Sequence, residues 1–321
     1  MSKYILCALL LCVWCAATGA RVMPAQEESS LFDYNASEPL DIKEEGVEER
    51  QGARVHDINY ASPKGGRVTA YLVVPSDKGK FGGALFLHGA GASRTQFLNE
   101  AVLLAREGIV SLVIDAPASR PEPWRKSPYA YLEADRDIRA QAVVDLRRGV
   151  DLLTARRDVD ARRLAFVGYS NGATIGGVLA GVEKRIKAYV LMAGNASQVE
   201  FWRAPDNPDA LELKKRLTPE RFELYVKSLE AVEQTRYIAH AAPATLLFQC
   251  GKDDQIVPAE SAQKYYDAAS KPKTIKWYKA THQLNAQAST DRFKWVVEQI
   301  GWKVQRDEPD RLNPANSAPD F

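Results

Sequence analysis

Six short apolar runs, at 84–88, 110–115, 163–168, 188–193, 245–250 and 274–278, constrain the chain more than any other feature. Each is followed by a helical or loop segment. Between the second and third, Ile138, Ala142, Leu146, Val150 and Leu153 recur at helical spacing. Strands with no polar face must be covered on both sides, which a parallel sheet with helices packed on each face provides. Ahead of them Val68, Ala70, Leu72 and Val74 alternate as one face of a strand, and Pro63-Lys64-Gly65-Gly66 supplies a hairpin turn. The expected class is therefore α/β with a mostly parallel central sheet. In such sheets chemistry gathers beyond the carboxyl ends of the strands. The residues just after each apolar run are the ones to search.

The remaining chain divides around this unit. Lys3, an apolar run over 4–17 and the small residues Ala17-Thr18-Gly19-Ala20 form a signal-peptide pattern over 1–20, with a cut expected after Ala20. The run is shorter than the roughly 20 residues a membrane span needs. Export, to a periplasm or out of the cell, is the expectation, with an uncleaved amino-terminal anchor as its alternative. Cys7, Cys12 and Cys15 leave with the signal, so the mature chain keeps only Cys250 and cannot form an internal disulfide. Residues 21–50 are acidic, with Glu27, Glu28, Glu44, Glu45, Glu48 and Glu49, and read as an extended leader. One domain is expected over 51–302, then a loose tail rich in Pro, Asp and Asn over 303–321. Within the domain, 195–241 holds no strand candidate, only helical segments with Phe201, Trp202, Phe222 and Tyr225. An insertion there would cap the strand ends. The net charge of +2, without a long basic patch, gives no reason to expect nucleic acid as a partner. Oligomeric state is not legible in the sequence.

The third apolar run leads straight into Gly168-Tyr169-Ser170-Asn171-Gly172, a G-x-S-x-G sequence in a strand-to-helix context. The tight turn lifts a serine hydroxyl above the sheet at the amino end of a helix. A hydroxyl needs a base to take its proton. Of four histidines, His56 lies in the first hairpin, His240 precedes a strand, and His88 ends the first apolar run and begins a glycine-rich turn. His282, after the last run, is left as the base. The histidine in turn needs an acid, and the turn after Cys250 offers both Asp253 and Asp254. A developing oxyanion needs aimed donors. The backbone N–H of Asn171 is one, and the loop His88-Gly89-Ala90-Gly91-Ala92-Ser93 is the expected source of another.

Together these motifs resemble the α/β-hydrolase fold, and within it the branch of dienelactone hydrolase, prolyl oligopeptidase and acetyl xylan esterase-like proteins. The resemblance covers about 68–302. It includes Asp158-Val159-Asp160-Ala161-Arg162-Arg163 before the elbow strand, and Leu284-Asn285, Asp291-Arg292 and Trp295 after His282. It implies a Ser170, Asp254, His282 triad, because Asp254 occupies the acid position of a G-x-x-D-x-x-V-P turn. It also implies an H-G-x-G turn in which His88, Gly89 and Gly91 shape the loop and Ala90 donates the second N–H, with Gly91 as the alternative donor. Gly168 and Gly172 are the elbow glycines. Dienelactone hydrolase itself uses cysteine where this chain has Ser170, which favours ordinary carboxylic esters. The implied activity is carboxylesterase, acting on a small-molecule ester. A peptidase of prolyl-oligopeptidase type and a non-catalytic binding module are the alternatives. No metal-ligand spacing or dinucleotide fingerprint appears, so no cofactor is expected. Trp202 in the insertion is a candidate pocket roof or core residue. Trp124 belongs to a loop with Pro117, Arg120, Pro121, Pro123, Arg125, Lys126, Pro128, Tyr129 and Tyr131 that reads equally as pocket wall or surface.

Overall fold

A computed structural model describes residues 30–127 and 134–301. The expected signal peptide, the tail, and Pro128, Tyr129 and Tyr131 lie outside the described residues. The described residues form nine strands in one sheet, ordered β1-β2-β3-β5-β4-β6-β7-β8-β9. Strands β1 (Lys43–Arg50), β2 (Ala53–Ala61) and β3 (Arg67–Pro75) run antiparallel, and β3 joins β5 (Ile109–Ile114) antiparallel. From β5 onward every pairing is parallel, through β4 (Phe81–Leu87), β6 (Val159–Tyr169), β7 (Ala188–Met192), β8 (Thr245–Gly251) and β9 (Lys273–Tyr278). The α/β class expected from the apolar runs is the class observed.

Burial follows from the pattern. Every residue of β4, β5 and β7 is buried, as strands covered on both faces must be. Helices α2 (Ala134–Ala155) and α3 (Asn171–Val182) pack on one face, where Ile58, Val68, Ala70, Leu72 and Val74 point. Helices α1 (Leu98–Ala105) and α9 (Ala286–Ile300) cover the other, against Val73, Phe86, Val113 and Val167. Chain order reverses at β4, which has β5 on one side and β6 on the other. Such a reversal opens a crevice at the carboxyl ends of the two strands. The pairing Leu87↔Gly168 brings the ends of β4 and β6 level, so the loop after one faces the turn after the other.

Between β7 and β8 the chain forms α4 (Gln198–Arg203), α5 (Pro208–Arg216), α6 (Pro219–Ser228) and α7 (Gln234–Ile238). Their starts are set locally. Ser197, Asn207 and Thr218 each accept a hydrogen bond from a first-turn N–H, and prolines follow the last two where the missing N–H costs nothing. Helix α8 (Ala259–Ala268) joins β8 to β9.

The leader differs from expectation. Its last eight residues are β1, paired with β2 from Lys43↔Asn59 to Arg50↔Ala53. All of β1 is exposed. An edge strand with both faces in water needs no apolar alternation, and its charges discourage pairing with another edge. Upstream, residues 31–40 lie on α2. Phe32 is 1% exposed, and its carbonyl accepts from Arg147 at 2.8 Å. Arg148 donates to the carbonyls of Ala36, at 3.1 Å, and Glu38, while the Tyr34 hydroxyl donates to Asp151 at 2.8 Å. These donors answer carbonyls that a loose leader would leave to solvent.

Arg148→Ala should therefore destabilise the protein by about 1–2 kcal/mol, because it leaves two carbonyls without their donor and takes one partner from the half-buried Asp151, which keeps Tyr34 and Arg185. Urea unfolding measures this. A stability equal to wild type would mean that the Arg148 contacts to 36–38 contribute nothing to the fold.

Candidate active site

Ser170 stands between β6 and α3 with φ 53° and ψ −114°. This left-handed backbone costs a non-glycine residue about 1–3 kcal/mol. Its neighbours hold it there: the Ser170 N–H donates to Met192 O at 2.7 Å, and its carbonyl accepts the Thr174 N–H at 3.0 Å. The flanking glycines are steric necessities. A Cβ on Gly172 would lie 2.1 Å from the Leu87 carbonyl oxygen, and one on Gly168 would lie 2.5 Å from the Gly172 oxygen. Only there can α3 start against the end of β4.

The loop after β9 brings His282 to the serine. His282 Nε2 is 2.9 Å from Ser170 Oγ, and Nδ1 is 2.8 Å from Asp254 Oδ2. The other Asp254 oxygen accepts from the N–H of Ile256 at 2.8 Å and of Val257 at 2.9 Å. A carboxylate so placed only accepts, so Nδ1 carries the proton and Nε2 is free to take one from the serine. Burial pushes the Asp254 carboxyl up, but the bonds from His282, Val257 and Ile256 outweigh it and hold the group below the ordinary carboxylate range. Asp253, one residue earlier, is exposed and makes none of these contacts. Sequence reasoning from the residues alone left the two level; the structure brings Asp254 to the histidine.

His88 is not part of this relay. It is 1% exposed, its Nε2 accepts the Ala116 N–H at 3.0 Å, and its Nδ1 meets Gly89 O at 2.7 Å. An N–H donating to Nε2 requires that the proton sit on Nδ1. Burial depresses its pKa, which keeps it neutral. His88 thus pins the start of the 88–93 loop to the residue after Asp115. Asp115 pins the end of the loop: its Oδ1 accepts the Arg94 N–H at 2.7 Å. The Arg94 guanidinium reaches across to Asp57, at 2.6 and 3.0 Å, over the Tyr71 ring. Within the loop, Gln96 takes the Gly89 N–H at 2.9 Å. No hydrogen bond among the described residues takes the N–H of Ala90 or Gly91, and both residues are exposed. Asn171 is the first residue of α3, where backbone N–H groups have no partner inside the helix.

Tyr169 was not singled out from sequence, although it is the variable residue before the serine. Its ring lies 5.3 Å from the His282 ring, and its hydroxyl donates to the His282 carbonyl at 3.1 Å. The Arg94 and Asp115 clamp was also missed, since Asp57, Arg94 and Asp115 are far apart in the chain. Trp202, expected as roof or core, is 4% exposed and packs edge-on against Phe201 and Tyr225, at 5.8 and 5.2 Å between ring centres. That is the core of the helical insertion. Trp124 is half-buried and lies against the hairpin turn at Gly66. Cys250 is buried on β8, and burial, with the Asp254 charge second, pushes its thiol up to about 12. Among the described residues no group of three or more His, Cys, Asp or Glu side chains could hold a metal. None of their helices is long and apolar enough to cross a membrane.

Residues 95–301, more than half of the chain, match the prolyl oligopeptidase family, Peptidase_S9. Acyl-coenzyme A thioesterase 1 of Rattus norvegicus is 23% identical over 251 residues, which are 72% of this chain and 57% of the relative. Acyl-coenzyme A thioesterase 2, mitochondrial, of Mus musculus is 24% identical over 232 residues, 68% of this chain and 48% of the relative. The chain thus spans about half the length of the curated relatives it matches. Among solved structures, acetyl xylan esterase 1 from Thermoanaerobacterium sp. JW/SL YS485 has a TM-score of 0.73 at 17% identity, covering 85% of this chain and 93% of that one. An acetyl xylan esterase from Paenibacillus sp. R4 has a TM-score of 0.72 at 18% identity, covering 85% and 92%. At these identities the likeness is one of fold, the α/β-hydrolase fold.

The hydrogen bonds at Asp254 carry a pH signature. Its folded pKa is depressed, so the stability it contributes is complete above the unfolded value of about 4 and is lost as pH falls through the folded value. The melting-temperature gap between wild type and Asp254→Asn should therefore be widest near pH 6 and narrow as pH falls below about 4. Asp253→Asn should show no such gap. A reversed ranking would place the structural acid one residue earlier.

Proposed function

We propose that this chain, which belongs to the prolyl oligopeptidase family, is a carboxylesterase with Ser170 as nucleophile, His282 as general base and Asp254 as orienting acid. One observation carries the proposal: a serine oxygen, an imidazole and a carboxylate in a line of 2.9 and 2.8 Å contacts, with unpartnered loop N–H groups opening to solvent across β4. In the first step His282 Nε2 takes the Ser170 proton as Oγ bonds to the carbonyl carbon. The carbonyl oxygen gains charge facing the N–H of Asn171 and of Ala90 or Gly91, each donor worth about 3 kcal/mol of barrier. The protonated His282, steadied by Asp254, gives that proton to the leaving alcohol. Water then loses a proton to His282 and attacks the acyl carbon, and His282 returns that proton to Ser170 Oγ as the acid leaves.

Esters rather than peptides are favoured by the kind of proteins that share this fold end to end. Acetyl xylan esterases align over more than nine-tenths of their length. The thioesterase relatives make thioesters the next class to test. As part of the same proposal, the insertion over 195–241 bounds substrate size without supplying chemistry, since the nucleophile precedes it and the acid and base follow it. Export with cleavage near Ala20 stands on the sequence pattern, and amino-terminal sequencing of the exported form checks it.

A panel of p-nitrophenyl esters from acetate to palmitate, one acyl-coenzyme A and one prolyl p-nitroanilide decides between the classes. Short-chain esters should turn over at least a hundredfold faster than the anilide. A faster anilide would make the protein a peptidase, and a faster acyl-coenzyme A would make it a thioesterase.

A further inference from the structure

Beside the nucleophile, a chain of amide groups fixes the orientation of one polar side chain that the mechanism above does not use. Arg139 on α2 can only donate, and its Nη2 lies 2.8 Å from Gln198 Oε1. That contact obliges the other end of the Gln198 amide, its Nε2, to point the opposite way, where it meets Asn195 Oδ1 at 3.0 Å. Gln234 is fixed in the same manner. Its Nε2 donates to the Asn195 backbone carbonyl, which only accepts, at 2.8 Å, and reaches Asn195 Oδ1 at 2.9 Å. Gln198 is 5% exposed and Gln234 is fully buried, so neither amide has a solvent alternative.

The oxygen of the Asn195 amide is therefore held inward by two donors. Its Nδ2 must face the other way. No hydrogen bond among the described residues takes that Nδ2, and it is not one of their buried unpartnered atoms, so it reaches solvent from a half-buried residue. The residue that carries it is anchored to the turn of the serine. The Thr174 hydroxyl lies 3.2 Å from the Ser170 carbonyl and 3.4 Å from Asn195 Oδ1. Asn195 stands three residues past Met192, whose carbonyl accepts the Ser170 N–H. Between them Ala193 has φ 50°, a left-handed turn that carries the chain from β7 toward the serine. An outward N–H donor, oriented from behind by buried amides and set beside the nucleophile, is preorganised for an acceptor on a bound molecule.

We propose that Asn195 Nδ2 is a substrate donor beside Ser170, and that it selects esters carrying an acceptor oxygen in addition to the scissile ester group. This rests on the assignment of Ser170 as an ester-cleaving nucleophile. Two isosteric pairs test it, because each exchanges one CH₂ for an oxygen. In p-nitrophenyl methoxyacetate against p-nitrophenyl butyrate the oxygen is in the acyl group. In 2-methoxyethyl acetate against butyl acetate it is in the alcohol.

Asn195→Asp keeps the inward acceptor and loses the outward donor, and Asn195→Ala removes both. In one of the two pairs, the kcat/KM ratio of ether to alkyl ester should fall about tenfold from wild type to Asn195→Asp, the worth of one hydrogen bond. Asn195→Ala should show the same loss of discrimination. An unchanged ratio in both pairs, or an equal loss on ether and alkyl esters, would overturn the proposal. A wild type that hydrolyses neither butyrate nor acetate would instead sink the esterase assignment, and this proposal with it.

Discussion

The carbonyl oxygen of Leu87 lies where a side chain on Gly172 would begin, 2.1 Å from the Cβ position. Everything else in the site depends on that approach. It seats the first turn of α3 against the end of β4, so Asn171 faces the 88–93 loop across the crevice. It also forces Ser170 into left-handed backbone, which the Met192 carbonyl and the Thr174 N–H stabilise. The strain is local and is offset by burial around it: both strands flanking the serine are packed from two sides, with Phe166, Val167 and Val190 fully buried. A looser turn would relieve the serine and carry its hydroxyl away from His282.

A second rule organises the side chains. Groups that can only donate or only accept settle the orientation of those that can do either. Asp254 settles His282, leaving Nε2 open toward Ser170. The Ala116 N–H settles His88 in the same tautomer, but there the free end is consumed by structure. Two histidines in one proton arrangement thus have opposite uses, and the difference lies in what faces Nε2: a backbone N–H in one case, a serine hydroxyl in the other. Arg139 settles Gln198 and through it Asn195.

Much of this was legible in the sequence because it is written in local pattern. Apolar runs at 84–88 and 163–168 announced β4 and β6, since a strand buried on both faces has no polar residues to hide. The elbow could be read from spacing, because its glycines stand two residues either side of the serine, although the contact that requires Gly172 comes from Leu87 on β4. Asp254 over Asp253 was not decidable from the residues alone: both follow β8 in a turn, and the choice depends on which carboxylate can accept the N–H groups of Ile256 and Val257 while facing β9's loop. Strand β1 was invisible for the opposite reason to β4. KEEGVEER has both faces in water, so no apolar period marks it, and only its register with β2 makes it a strand. The clamp of Asp57, Arg94 and Asp115, and the Tyr169 contact to His282, join distant segments and leave no local trace.

The account stands on Ser170 being an activated nucleophile in the folded protein. Reaction with a fluorophosphonate, followed by peptide mass spectrometry, tests that directly. One phosphonyl adduct per chain is expected, on the peptide that contains Ser170, and none on Ser170→Ala folded to the same melting temperature. An adduct on another residue, or an unlabelled wild type, would contradict it.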